Sequence, residues 1–560
     1  MHPTMIERDV QVPMRDGTVL RADIYRPAID GKFPVIVLRL PYNKLVRMDG
    51  FFDFQAAVDR GFVFIVQDTR GRFSSDGEWL PWAYEREDGY DTIEWAASLP
   101  YSNGNVGTVG GSYSGSTQWS CAVMQPPHLR AIAPFITFAD PDNGLLFRGG
   151  AMEMGLNIFW SFLVSLPHYP KESLSSEELF AKISTTIAEA DSLAVRGYWG
   201  LPSGSPPALQ HTGLPDLGVA RALCDPSTKD ECRVSNRYDD VKVPSLNIAG
   251  WYDIFVQGSL DNYMAMRQRG GVARLVVGPW SHVSLMSFVP SFVGDVNFGL
   301  SSVMPGGSSL TDLQLDWYEH WLKGAPATEL HESSVAIFVM GINQWRMENE
   351  WPLARAKATP LYLRSDNNLD WALPTESKAE STYVYDPADP TPTCGGPQLL
   401  SGEFPAGPLE QSAVESRSDV LVFTTDPLIE DLEVTGQIRA VLFAATDGAS
   451  TDWVVRLCDV DEGGISRVVV DGILRVQTEP SRVDEIEVDL WSTSMVFKAG
   501  HRIRVQVTSS CFPRWDRNPN TGQPASEATE FRSAQQRILH DADHSSRVIL
   551  PVIPASSSGG

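Results

Sequence analysis

The chain has 560 residues, with 45 Lys and Arg against 70 Asp and Glu, for a net charge of -25. A hydrophobic share of 42% and a charged share of 21% exclude a disordered, collagen-like or coiled-coil chain. The acidic field makes nucleic acid and anionic membrane poor partners, and the length calls for two to four domains at roughly 100–200 residues each.

Residues 9–25 read as a β-hairpin, with Leu20, Ala22 and Ile24 on one face and an Asp16-Gly17 turn. Phe33–Leu38 and Phe62–Val66 are continuous apolar runs, the pattern of strands buried on both faces. A helix is expected within 50–60. Another spans 86–98, with Tyr90, Ile93 and Ala97 forming its buried side. Then follow a strand near Asn105–Val109, a helix from about Thr117 and a strand Ala131–Phe138. This alternation implies a parallel sheet covered by helices.

From about Asp140 to Asp239 helical periodicity dominates (Met152–Leu166, Glu177–Ala194) around a Pro/Gly-rich stretch at 201–217, the pattern of an inserted helical cap. Strands resume at Ser245–Ala249 and Arg274–Val277, and a helix Asp312–Lys323 closes at Gly324. After about residue 355 helices stop and short β-runs alternate with turns (among them Leu432–Phe443, Trp453–Cys458, Ile465–Leu474 and Arg502–Thr508), as in a sandwich or jelly roll. The Ser556–Gly560 tail is low in complexity.

No apolar run approaches the roughly 20 residues of a membrane span. The first residues lack the basic and apolar regions of a secretory signal. Six cysteines are too sparse for a disulfide scaffold; a Cys224–Cys232 loop is conceivable, but free thiols are expected. The expectation is a soluble cytoplasmic protein.

Gly110-Gly111-Ser112-Tyr113-Ser114-Gly115 lies between a strand and a helix. A sharp turn there strains the serine and sets it at a helix N-terminus, where backbone N–H groups favour developing negative charge. Ser114 and Ser116 are competing hydroxyls; Ser112 is favoured because it directly follows the strand. A serine nucleophile needs a base, and the base an orienting acid. His282 follows one buried strand and Asp253 the strand before it, in the chain order serine, acid, histidine. The second oxyanion donor, beside the Tyr113 amide, belongs on the loop after 33–38, where Tyr42 carries a phenolic hydroxyl.

Several segments together resemble the bacterial cocaine esterase group of the X-Pro dipeptidyl-peptidase and α-amino acid ester hydrolase family. They are Val12–Gly17, Leu40–Lys44, Gln67-Asp68-Thr69-Arg70-Gly71-Arg72, Gly104–Gly107, Gly111–Gly115, Ala249–Asp253, Gly278–His282, Phe338–Gly341, Tyr385–Pro390 and Gly500–Arg502. The resemblance implies an α/β-hydrolase core (1–142 and 240–354), a helical cap (143–239) and a C-terminal jelly-roll β-sandwich (355–560). It assigns Ser112 as nucleophile, His282 as base, Asp253 as orienting acid, and the Tyr42 hydroxyl with the Tyr113 amide as oxyanion donors.

It also places Trp160, Phe255, Leu399 and Leu400 at an acyl pocket, and Leu145 with Leu146 where the family has an aromatic residue. The implied activity is hydrolysis of esters with a bulky or aromatic acyl group. No metal or organic cofactor is implied, and the partner is a small-molecule ester; a homodimer is left open. An amide-directed relative (X-Pro dipeptidyl-peptidase, β-lactam acylase or α-amino acid ester hydrolase) or an acyltransferase would use the same triad. Recognition of an α-ammonium group would need pocket carboxylates, for which Asp140, Asp142 and Glu153 are the candidates.

Overall fold

The computed structural model describes residues 3–45, 52–166, 169, 174–213, 216–287, 290–326 and 334–554. The Ser556–Gly560 tail and the first two residues of the helix expected at 50–60 lie outside them. Strands β1 (Thr4–Pro13) and β2 (Val19–Pro27) form the predicted antiparallel hairpin. Next come β3 (Phe33–Leu40), β4 (Val63–Asp68), β5 (Ser102–Gly111) and β6 (Leu129–Phe135), then a two-residue hairpin of β7 (Phe147–Arg148) and β8 (Ala151–Met152). β9 (Ser245–Tyr252) and β10 (Ala273–Ser281) follow, then a small hairpin of β11 (Phe292–Val293) and β12 (Val296–Asn297), then β13 (Val335–Val339) and β14 (Gln344–Glu348).

Ten of these strands form one sheet in the order β1-β2-β4-β3-β5-β6-β9-β10-β13-β14. From β4 to β13 neighbouring strands run parallel. β4, β9 and β10 are buried at every residue, the environment of a parallel strand covered on both faces. A parallel sheet puts all its strand C-termini on one edge, and that edge carries Ser112, Asp253 and His282.

Helices α1 (Phe54–Asp59), α2 (Glu85–Ser98) and α3 (Tyr113–Ala122) belong to the first part of the sheet. α3 starts at Tyr113, four residues before the expected Thr117. Its Ser- and Thr-rich start has weak helix propensity, but side-chain hydrogen bonds, both local and to the sheet, hold it. Ser116 and Thr117 donate to the carbonyls of Tyr113 and Ser114, and Gln118 bonds Thr108, Gly110 and Ala133. The buried side of α2 is Asp88, Gly89, Thr92, Ile93 and Ala96, shifted from the expected Tyr90–Ile93–Ala97 stripe. The cause is polar: Asp88 pairs with Arg70 at 2.6 Å and Thr92 bonds Gln67 at 3.1 Å. β6 ends at Phe135 rather than Phe138, because the chain leaves the sheet at Ile136 with a φ of +40°.

The 140–240 segment holds α4 (Met154–Ser165), α5 (Ser176–Asp191), α6 (Pro207–Thr212) and α7 (Val219–Cys224). α8 (Val256–Gln268) and α9 (Leu310–Lys323) return to the sheet; α9 is capped by Ser309 at one end and by left-handed Gly324 at the other. Beyond residue 355 two antiparallel sheets enclose a separate apolar core that includes Leu361, Phe423, Leu442, Trp453, Leu490 and Ile538. One turn of helix, Ser412–Glu415, departs from the expectation of an all-β region. Among the described residues no helix is long and apolar enough to cross a membrane. The six cysteines are free thiols, Cys224 exposed and Cys232 buried.

Candidate active site

The turn after β5 follows from its small residues. Gly110 has a φ of +136°, and a Cβ there would stand 2.5 Å from the Ser114 Cβ and 2.8 Å from Leu38. Gly115 packs α3 onto the segment just after β6, where a Cβ would meet Thr137 at 2.7 Å. Between them Ser112 adopts φ +57° and ψ -124°, a region that costs a non-glycine residue on the order of 1–3 kcal/mol. Its N–H donates to the Phe135 carbonyl at 3.0 Å, and its own carbonyl accepts from the Thr137 hydroxyl at 2.9 Å. The strain is therefore held from both sides. Tyr113 is the first residue of α3, so its N–H has no acceptor within the helix.

Asp253 is fully buried and His282 is 4% exposed. The His282 Nδ1 stands 2.6 Å from one Asp253 carboxylate oxygen; the other accepts from the Phe255 N–H at 2.7 Å. A ring whose Nδ1–H donates to a carboxylate has its Nε2 free to accept a proton. The Phe255 ring meets the His282 ring edge-on at 5.5 Å.

Beside Ser112 lies a pocket lined by Trp82, Ser112, Tyr113, Phe138, Leu145, Leu156, Trp160, Leu217, Phe255 and Leu399. Of the three hydroxyls near the turn, only Ser112 lines it. The Tyr113 ring stacks on Trp82 at 3.9 Å and lies parallel to Trp160 at 6.2 Å. Its hydroxyl donates to Glu85 at 2.8 Å and accepts from the Trp82 N–H at 3.1 Å, and Glu85 pairs with Arg39 at 2.8 Å. Burial raises the Glu85 carboxyl above its usual range.

Tyr42 is brought to the same place. Its hydroxyl accepts from the Trp160 Nε1–H at 3.1 Å and stands within hydrogen-bond reach of the Ser112 side chain. Burial pushes its pKa above the ordinary phenol value, so it stays protonated at neutral pH.

Of the residues expected at an acyl pocket, Trp160, Phe255 and Leu399 line this one. Leu400 does not: it is buried and lies against Gly155 of α4, outside the lining. Of the adjacent leucines, Leu145 lines the pocket and Leu146 does not. The three candidate carboxylates are also absent from the lining. Asp140 and Asp142 pair with Arg233, and Asp142 also with Lys229 at 2.7 Å. Glu153 accepts from Trp515 at 2.9 Å and sits 3.5 Å from Arg514.

Sequence reasoning missed Trp82, Phe138, Leu156 and Leu217, which carry no motif and gather only in three dimensions. Among the described residues no three His, Cys, Asp or Glu side chains come close enough to hold a metal ion.

The profile described as X-Pro dipeptidyl-peptidase (S15 family) matches residues 16–284, and that of the X-Pro dipeptidyl-peptidase C-terminal non-catalytic domain matches 330–549. A cocaine esterase from Rhodococcus sp. (strain MB1 Bresler) is 35% identical, with 98% of each chain covered. Among solved structures, an aminopeptidase from a marine sediment Thaumarchaeota archaeon is 26% identical with a TM-score of 0.82, covering 99% of this chain and 97% of that one. An α-amino acid ester hydrolase is 25% identical with a TM-score of 0.78, covering 98% and 97%.

Proposed function

The chain belongs to the cocaine esterase and X-Pro dipeptidyl-peptidase family of α/β-hydrolases and is a serine hydrolase; from this we propose that it is a carboxylesterase for esters with a bulky or aromatic, uncharged acyl group. The observation that carries the acyl preference is the pocket lining. Apart from Ser112 and the Tyr113 ring it is tryptophan, phenylalanine and leucine, with no carboxylate. An α-ammonium group buried there would lack a counter-charge.

The reaction runs through an acyl-enzyme. Ser112 Oγ attacks the ester carbonyl as His282 Nε2 takes its proton, and Asp253 steadies the imidazolium formed. The carbonyl oxygen gains negative charge between the Tyr42 hydroxyl and the Tyr113 N–H. One such donor is worth roughly 3–4 kcal/mol of barrier. As the tetrahedral intermediate collapses, His282 gives the proton to the departing alkoxide, which leaves as the alcohol. Water then attacks the acyl carbon with His282 again as base, and Ser112 leaves with its proton restored.

A substrate panel tests the preference: a p-nitrophenyl benzoate, an α-amino acyl methyl ester and a Gly-Pro p-nitroanilide. The benzoyl ester should lead in kcat/KM by more than about tenfold. Preference for either substrate with a free amine would overturn the reading. Ser112→Ala should abolish turnover of all three.

A further inference from the structure

The segment Gln67-Asp68-Thr69-Arg70-Gly71-Arg72 has no part in the mechanism above, yet it ends in a buried cation close to the reacting atoms. Arg72 is 1% exposed. Its Nε donates to the carbonyl of Pro41, the residue before Tyr42, at 2.8 Å. Its Nη2 donates to the carbonyl of Val164, one turn beyond Trp160 on α4, at 2.6 Å. The guanidinium carbon lies 5.0 Å from the Phe73 and Trp79 ring centres, and Trp79 in turn approaches Trp160 at 6.4 Å.

Among the described residues Arg72 has no carboxylate at ion-pair distance, although it stays charged at neutral pH: burial lowers its pKa only to about 10. Its own loop is fixed. The Thr69 N–H donates to the Leu40 carbonyl at 3.1 Å, and Asp68 accepts from the Lys44 N–H at 2.7 Å.

One guanidinium therefore ties together the two segments that meet again at the Tyr42 hydroxyl. An indole N–H only donates, so in the bond from Trp160 the Tyr42 oxygen accepts, and its proton is left for another acceptor. We propose that Arg72 is a positioning residue of the oxyanion site. It clamps the Tyr42 loop to the cap helix so that Trp160 holds the Tyr42 hydroxyl with its proton turned toward the substrate carbonyl oxygen. Its charge, with no carboxylate at ion-pair distance among the described residues, adds to the field that stabilises that oxygen in the transition state. The inference rests on the proposed role of Tyr42.

The test is a double-mutant cycle on the purified full chain, read as kcat and KM for p-nitrophenyl benzoate. Tyr42→Phe should lower kcat by about 10²–10³-fold. Arg72→Met should lower kcat by about 10–100-fold and leave KM within about threefold, because the lost interaction belongs to the transition state. Arg72→Lys, which keeps the charge but cannot bridge two carbonyls, should recover part of that loss. In the Tyr42→Phe background Arg72→Met should cost much less than it costs in the native chain, since only the part of its effect that acts through the charge remains.

If Arg72→Met keeps kcat within about twofold, or multiplies fully with Tyr42→Phe, the proposal is wrong. A Tyr42→Phe variant at full kcat would instead overturn the oxyanion assignment, and this proposal with it, while leaving Ser112 untouched. Should Arg72→Met fail to fold, Trp160→Phe takes its place in the cycle. That variant keeps an aromatic ring and removes the N–H, so a kcat loss absent from the Tyr42→Phe background supports the arrangement, and an additive loss overturns it.

Discussion

Ser112, Asp253 and His282 were legible because each follows a buried strand, and the fold carries those strand ends to one edge. Their neighbours were not. Trp82, Phe138, Leu156 and Leu217 reach the pocket from four separate stretches of chain, and nothing in their spacing says so. Leu145 is the residue where size should decide selectivity, because it lines the pocket beside Ser112. Leu145→Trp should lower kcat/KM for a benzoyl ester by more than about tenfold while sparing an acetyl ester, since a hydrophobic pocket discriminates by volume at roughly 1–3 kcal/mol per group. Equal losses on both esters would mean that the acyl group sits elsewhere.

At the scale of elements, the strands were easy to read and the junctions were hard. β3 and β4 announce themselves by continuous apolar sequence. The start of α3 does not, since its small polar residues look like a loop until their bonds to β5 and β6 are seen. The junction of the cap with the β-sandwich was equally hidden. There Arg514 sits between Glu153 and Asp471, fully buried, at 3.5 and 2.9 Å. Arg148 lies over the Trp491 ring at 3.4 Å and donates to the Asp471 carbonyl at 2.6 Å. Glu153 had been a candidate for substrate recognition; it is a partner in this cluster instead. Arg514→Met takes from the buried Glu153 carboxylate its ion-pair partner and should cost about 3–5 kcal/mol. Denaturant unfolding measures this, and a loss under about 1 kcal/mol would show that the cluster contributes little.

At the scale of the whole molecule, the pocket is a joint product. The core supplies Ser112, Tyr113 and Phe255, the helical insertion Leu145 and Trp160, and the β-sandwich Leu399. The tryptophans next to Asp253 and His282 in sequence serve the core: Trp251 donates to the Phe338 carbonyl at 2.8 Å and Trp280 to the Ser302 carbonyl at 3.1 Å.

So large a buried interior also predicts how the fold fails in alkali. Burial holds the phenols of Tyr113, Tyr318 and Tyr385 well above their ordinary value of 10.0 and pushes the Cys121 thiol from 9.0 up to about 12. Above those ordinary values the unfolded chain releases protons that the folded chain keeps. Stability is therefore complete below about pH 9 and falls as pH rises, by up to about 1.4 kcal/mol per pH unit for each such group. Tm should drop steadily between pH 9 and about 11, and the tyrosinate absorbance of these buried rings should appear together with unfolding. Their ionisation in a chain that is still folded would contradict the burial described.

The central claim is that Ser112 is the nucleophile of a serine esterase. Reaction with a fluorophosphonate, followed by peptide mass mapping, tests it most directly. The account predicts a single stoichiometric adduct on Ser112 and none in Ser112→Ala. An unlabelled Ser112, or an adduct on Ser114, Ser116 or another residue, would contradict it.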